Sequence, residues 1–254
     1  MHPAVGTENV ARDVAVAQDR DRQIRDLLRT SHAPDRDPAS LGHPPGAFTA
    51  PNIVRRMASL ADSVREELRR VLLTADEAIS LEVNGRTDAG VLVPLYIDDD
   101  ELHVVFTKRR EDLRRHPGEI SFPGGRYEEG EPDLKATALR EAEEEIGLPR
   151  DSVEVLGALQ PTPTIATGYA VYPFVGLIEP GRTWTLSARE VAEVLELRLS
   201  DLLEGYARRR LIRRGLPIRT DTYLVGDNLI WGATARILAD LFDRMSPQLT
   251  ARAG

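Results

Sequence analysis

The chain has 254 residues, with 33 lysines and arginines against 41 aspartates and glutamates, a formal net charge of −8. It has no cysteine, which excludes a disulfide scaffold, a thiolate zinc site and a cysteine nucleophile, and no apolar run approaches the ~20 residues that span a bilayer. The acidic balance argues against a general nucleic-acid coat, which needs a basic face, and leaves a soluble, cytoplasmic, mixed α/β protein as the expectation.

Residues 1–50 hold a single aromatic, Phe48, and many aspartates and arginines in alternation. No basic-then-apolar leader is visible there. Val14, Ile24, Leu27 and Leu28 are spaced for one short helix, and the Pro/Gly/His stretch Ala33 to Gly46 punctuates strongly. The expectation is a mobile N-terminal extension over 1–50 and a folded domain over 51–250.

Ile53, Met57, Leu60, Val64, Leu68 and Val71 recur at spacings of three and four, the pattern of an amphipathic helix. Val91 to Ile97 and Leu102 to Thr107 are β-rich runs around the acidic turn Asp98–Glu101 and predict a hairpin. A helix follows from Asp133 to Gly147. Strands are expected over Val153–Leu159 and Ala170–Ile178, with a short one over Val194–Leu199. Leu211–Leu224 reads as strand, turn and strand around Gly215-Leu-Pro217, and a last helix runs from Trp231 to Met245. Strands and helices at irregular spacing predict a mixed sheet covered by helices.

The informative segment is Arg140-Glu-Ala-Glu-Glu-Glu-Ile-Gly-Leu148, late in the Asp133–Gly147 helix. Leu134, Ala138, Ala142 and Ile146 make its apolar stripe. Glu141, Glu144 and Glu145 stand at i, i+3 and i+4 and share one face. Like charges at that spacing repel, and the C-terminal end of a helix is the wrong end for anions. A divalent cation removes both objections, because Mg²⁺ takes a few carboxylate oxygens and completes its shell with water and phosphate. Arg140 is placed to pair with Glu144 four residues on. Just upstream, Phe122-Pro-Gly-Gly125 forms a bend whose glycines let backbone approach a metal or a phosphate, with the Gly125 carbonyl as one more oxygen donor. The competing reading of the glutamates is a solvated surface face.

These residues together resemble the Nudix hydrolases, whose signature is Gly, five residues, Glu, seven residues, then Arg-Glu-apolar-any-Glu-Glu-any-Gly-apolar. Arg140 to Leu148 matches every fixed place of the second half. The linker departs: fourteen residues separate Gly125 from Arg140 where the signature has thirteen. Glu131 keeps its distance from Gly125 but stands one place early relative to Arg140, so the departure falls on the supporting role of Glu131 and not on the metal face. Upstream, Thr107, Arg109, Arg114, Gly118 and Phe122–Gly125 look like the motif of the coenzyme A pyrophosphatase branch, with Arg110 where that motif has a small residue. Thr167-Gly-Tyr169, Pro173 and Trp231–Ala235 are similar to further family landmarks.

The resemblance implies a Nudix-type α/β/α sandwich with a mixed sheet, and metal-dependent hydrolysis of the pyrophosphate bond of a nucleoside diphosphate derivative. Coenzyme A or its thioesters is the first substrate, and ADP-ribose or an NADH-type dinucleotide the alternative. Mg²⁺ or Mn²⁺ is the expected cofactor. Glu141 and Glu145 are the expected principal ligands. Glu144 is a third ligand or the base, and Arg140 orients the carboxylates. Arg109 and Arg114, with Gly124 and Gly125, are the expected substrate contacts. The basic stretch of Lys108, Arg109, Arg110, Arg114 and Arg115 supplies the local attraction an anionic substrate needs from an acidic protein. Glu190 and Glu193 are outside candidates for the base, His116 is a candidate phosphate contact, and Tyr169 and Trp231 read as packing residues. A small-molecule partner is expected, neither nucleic acid nor membrane, and a homodimer is compatible with the sequence. A nucleotide sensor without catalysis is the reading from another class, disfavoured because all three carboxylates are present.

Overall fold

Strands buried on both faces need apolar residues at successive positions, and two long runs of this chain supply them. A computed structural model describes residues 50–113, 116–164, 168–213 and 216–245, with backbone alone at 50–59, 213 and 216. The expected mobile extension, Ala50 apart, lies outside the described residues. Strand β1 (Thr87–Asp98) turns into β2 (Glu101–Arg109), with Ile97 opposite Leu102 and Asp98 opposite Glu101. Asp99 and Asp100 make the two-residue turn at φ 49° and 62°, a left-handed conformation that aspartate tolerates and that suits a tight hairpin.

The short strands β3 (Ile120–Ser121) and β4 (Gly124–Arg126) add to β2 and β1. Beyond them β5 (Glu154–Ala158) and β6 (Thr162–Pro163) pair antiparallel with β7 (Tyr169–Leu177). β7 lies parallel to β1, from Thr87 opposite Tyr169 to Leu95 opposite Leu177. β8 (Val191–Arg198) runs antiparallel along β2. The result is one mixed sheet of eight strands. A second sheet of three strands, β9 (Tyr206–Arg213), β10 (Leu216–Val225) and β11 (Asn228–Trp231), was not expected as a separate layer.

Side-chain alternation sorts the core into two layers. Val93, Leu95, Ile97, Val104, Phe106, Val171 and Val175 face one cluster. Helix α1 (Ala50–Val71) presents Leu68 to it, α4 (Leu199–Glu204) presents Leu199 and Leu202, and α5 (Gly232–Met245) presents Leu238, Leu241 and Phe242. Leu92, Tyr96, Val105, Ala170, Tyr172 and Phe174 face the other cluster. Ala78 of α2 (Ala75–Ser80) and the stripe Leu134, Ala138, Ala142 and Ile146 of α3 (Leu134–Ile146) cover that side. Helices on both faces of a mixed sheet make an α/β/α sandwich. Among the described residues no helix is long and apolar enough to cross a membrane.

Helix α3 carries the acidic motif and is fixed at both ends. The Asp133 side chain accepts from Ala136 N at 2.7 Å, satisfying one of the free first-turn donors. Gly147 closes the helix at φ 69° and ψ 27°, a left-handed turn that glycine adopts without strain. Thr185 N donates to Ile146 O at 3.1 Å and Ser187 N to Glu145 O at 2.8 Å, so a later loop satisfies last-turn carbonyls.

The helix sits directly on β1 because Gly90 has no side chain. A Cβ there would lie 2.2 Å from Leu134 O and 3.0 Å from Ala138 N. Gly90→Ala is expected to push α3 off the sheet and to lower unfolding stability by about 1–3 kcal/mol. Urea unfolding of the two proteins measures it, and an unchanged midpoint would contradict this packing.

Candidate active site

The Phe122–Gly125 bend is pinned from three sides. Phe122 is buried and stacks on Phe106 with ring centroids 4.8 Å apart. Pro123 O accepts from Leu92 N at 2.9 Å. Gly124 and Gly125 then pair with Val91 and Gly90 on β1. This places the two glycines beneath α3, one strand away from the Gly90 contact.

Glu141 and Glu145 lie one turn apart on α3 and both meet this bend. The Glu141 carboxylate fills the place where a Gly125 Cβ would stand, with Oε1 at 2.1 Å from that position. Gly124 N donates to Glu145 Oε2 at 3.3 Å. Glu145 is only 6% exposed. Burial, reinforced by the charge of Glu141, pushes its carboxyl up to about 8, against the Gly124 hydrogen bond and the charge of Arg109. Burial raises Glu141 too, opposed by Arg140. Glu144 differs: its side chain is 58% exposed and pairs with Arg140 Nη1 at 3.2 Å. The structure thus gathers two of the three expected carboxylates against the bend and leaves the third at the solvent rim.

Arg140 is the cation that holds this end of the helix. Its Nε donates to Glu131 Oε1 at 2.8 Å, its Nη1 lies 3.0 Å from Glu141 Oε1, and its Nη2 donates to Arg126 O at 3.2 Å. Glu131 is in turn held by Thr137 Oγ1 at 2.6 Å and Glu128 N at 2.8 Å. Burial alone would raise the Glu131 carboxyl, but these donors and the Arg140 charge hold it at about 2. The extra residue of the linker therefore leaves the Glu131–Arg140 contact intact.

The basic stretch divides. Arg109 ends β2 at a register shift against β8, the kind of bulge that re-aims a side chain. Its Nη1 lies 3.6 Å from Glu190 Oε2, and its buried Nε has no hydrogen-bond partner in the described structure. Arg110 is committed elsewhere: Nε and Nη2 fork onto Asp112 at 2.9 and 2.8 Å, and Nη1 donates to Ala188 O at 2.6 Å. Lys108 pairs on β8 with Glu193, which faces solvent. The charge of Glu190 raises the carboxyls of both Glu141 and Glu145. His116 pairs through Nδ1 with Glu119. Arg114, Arg115 and Thr167 lie outside the described residues. Tyr169 packs against the core, and Trp231 belongs to β11, not to the last helix. Sequence reading missed Gly90, whose signal was a lone glycine at the head of a β-rich run.

Among the described residues no three His, Asp or Glu side chains are grouped so as to hold a metal ion by themselves. The arrangement fits an open site. Two desolvated carboxylates, the charge of Glu141 raising Glu145 further, opposite a glycine with no side chain, suit a hard cation that keeps water and phosphate in its shell.

A family model described as the NUDIX domain matches residues 86–214. The chain belongs to the Nudix family. It is a hydrolase of phosphoanhydride bonds acting on nucleoside diphosphate derivatives, in a family that generally uses divalent metal ions. An uncharacterized Nudix hydrolase, NudL, of Enterobacter sp. (strain 638) is 38% identical over 165 residues, covering 64% of this chain and 85% of its own length. The NudL protein of Citrobacter koseri is 37% identical over 181 residues, covering 66% of this chain and 93% of its own. A crystal structure of a MutT/nudix family protein from Enterococcus faecalis aligns with 76% of this chain and 79% of its own at a TM-score of 0.44 and 15% identity.

The raised carboxyl of Glu145 has a consequence for this Nudix chain without metal. The folded state favours the protonated form, while the unfolded chain loses the proton near 4.5. The stabilisation is complete below 4.5 and is lost as pH rises through about 8. Glu145→Gln removes the titration. In chelator, its thermal midpoint is expected to exceed that of the parent above pH 8, with the gap closing towards pH 4.5. A gap that does not change with pH would contradict the burial of this carboxylate.

Proposed function

We propose that this hydrolase cleaves the pyrophosphate bond of coenzyme A or its thioesters, yielding adenosine 3′,5′-bisphosphate and 4′-phosphopantetheine from coenzyme A and one water. The observation that carries the hydrolytic reading is the Glu141–Glu145 pair, half-buried and buried, seated against the Phe122–Gly125 bend. The substrate branch is supported by Thr107, Arg109, Gly118 and Phe122–Gly125 at their motif places, and by the Arg109 guanidinium, whose Nε has no hydrogen-bond partner among the described residues. We read 51–250 as the catalytic domain, and the cysteine-free, acidic composition supports a cytoplasmic setting.

Glu141 and Glu145 would hold Mg²⁺ or Mn²⁺, with Glu144 at the rim as a third oxygen donor or as the base. When bound, the cation neutralises phosphoryl charge and acidifies water. The chain's own groups do the rest. Arg140, fixed by Glu131, keeps Glu141 and Glu144 in place. Arg109 meets the phosphoryl oxygens, with Arg114 as the second substrate contact. Gly124 and Gly125 let the diphosphate come close to the backbone. Glu144 or Glu190 takes the proton of the attacking water.

A screen of coenzyme A, acetyl-coenzyme A, ADP-ribose and NADH with Mg²⁺ or Mn²⁺, with products identified, tests this. Coenzyme A or its thioester is expected to be cleaved fastest, and Glu145→Gln to lower kcat by about two orders of magnitude or more with the fold intact. Preference for ADP-ribose or NADH would overturn the substrate while leaving the hydrolase. Full activity in Glu145→Gln would overturn the role of the pair.

A further inference from the structure

Arg110 stands where the coenzyme A branch has a small residue, and its side chain turns away from the carboxylates. It reaches instead to the loop that precedes β8. Arg110 N donates to Glu190 O at 3.0 Å and Arg110 Nη1 to Ala188 O at 2.6 Å. The guanidinium is held flat by its fork onto Asp112 at 2.9 and 2.8 Å. The far end of the same loop is tied to the carboxylate helix. Ser187 N donates to Glu145 O at 2.8 Å and Thr185 N to Ile146 O at 3.1 Å. Glu190 N and Val191 N both donate to Ser187 O, at 3.1 and 3.0 Å, which closes the turn on itself. Residues 185–190 therefore bridge the end of α3 and the start of the basic loop. At the end of that bridge Glu190 Oε2 lies 3.6 Å from Arg109 Nη1.

We propose that Arg110 is a positioning residue: by fastening the 187–190 turn to the basic loop it holds Glu190 beside Arg109, and so fixes the direction in which the Arg109 guanidinium offers its donors to a phosphoryl group. This rests on the reading that Arg109 meets the substrate. An arginine side chain has many rotamers, and ordering one costs conformational entropy. A partner that orders Arg109 before the substrate arrives lowers that cost in the bound state. Glu190 alone does not suffice, because it sits on a loop. The Arg110 side chain adds its hydrogen bond to Ala188 O to the main-chain bond from Arg110 N, which any residue there would make, and to the two from the loop to α3; together they fix where the backbone of Glu190 lies.

The test is a double-mutant cycle on coenzyme A hydrolysis, with ADP binding by calorimetry as a readout independent of turnover. Arg109→Ala, Arg110→Ala, Arg110→Ser and the double variant Arg109→Ala/Arg110→Ala are compared with the parent. Arg110→Ala and Arg110→Ser are expected to raise KM by roughly threefold to tenfold with kcat within about twofold. They are also expected to weaken ADP binding in proportion. In the Arg109→Ala background the Arg110 substitution is expected to add nothing, because its effect passes through Arg109. An unchanged KM in both Arg110 variants would overturn the proposal. So would an equal cost with and without Arg109, or a lowered thermal midpoint with kcat and KM impaired alike. If Arg109→Ala itself leaves KM and ADP binding unchanged, the reading of Arg109 fails, and the proposal with it. If Arg109→Ala raises KM and Arg110→Ala does not, only the present inference fails.

Discussion

The site depends on two carboxyl groups being held side by side largely out of water. A solvated face would let Glu141 and Glu145 spread into solvent. Here Glu145 is almost wholly buried and hydrogen-bonded to the Gly124 amide, and Glu141 lies against Gly125. Such an arrangement is unfavourable in isolation. Three features of the fold impose it: the caps of α3, the contact of α3 with Gly90, and the Glu131–Arg140 pair that steadies one side of the helix. The disposition is easily explained once a divalent cation is admitted as the missing opposite charge.

Glycine is the residue on which the geometry turns. Gly90 lets the helix touch the strand, and Gly125 makes room for a carboxylate. Each would collide if it carried a single carbon more, Gly90 with Leu134 O and Gly125 with Glu141 Oε1. The bend, the strand and the helix are thus one object, and the loop over residues 185–190 joins the basic stretch to it through main-chain hydrogen bonds. An acidic protein that binds an anionic substrate needs this kind of local organisation, since its overall field opposes approach.

Much of this was legible in the sequence, for identifiable reasons. The strands from Val91 and from Ala170 are apolar at successive positions because both faces are buried. The helix from Asp133 carries its own start and stop in Asp133 and Gly147. What was not legible is set by tertiary pairing. β3, β4 and β6 are only two or three residues long and exist because a neighbour offers a ladder. The second sheet separates from the first through contacts distant in sequence. In the site, the i, i+3, i+4 spacing put Glu144 with the other two. The axis of α3 relative to the sheet decides instead that Glu145 turns inward and Glu144 outward. The linker's extra residue looked like damage to Glu131, but loop length is not contact length, and Glu131 still reaches Arg140 at 2.8 Å. Arg110 read as a departure from the motif within a basic stretch, and nothing local revealed that it grips Ala188, 78 residues away.

The most direct test of the central claim is a calorimetric titration of Mn²⁺ into the metal-free protein, with no substrate, alongside Glu145→Gln and Glu144→Gln. If the buried pair is the cation's seat, the parent binds Mn²⁺, Glu145→Gln weakens binding by about tenfold or more, and Glu144→Gln weakens it less. Equal binding by the parent and Glu145→Gln, or a larger loss in Glu144→Gln, would contradict the account.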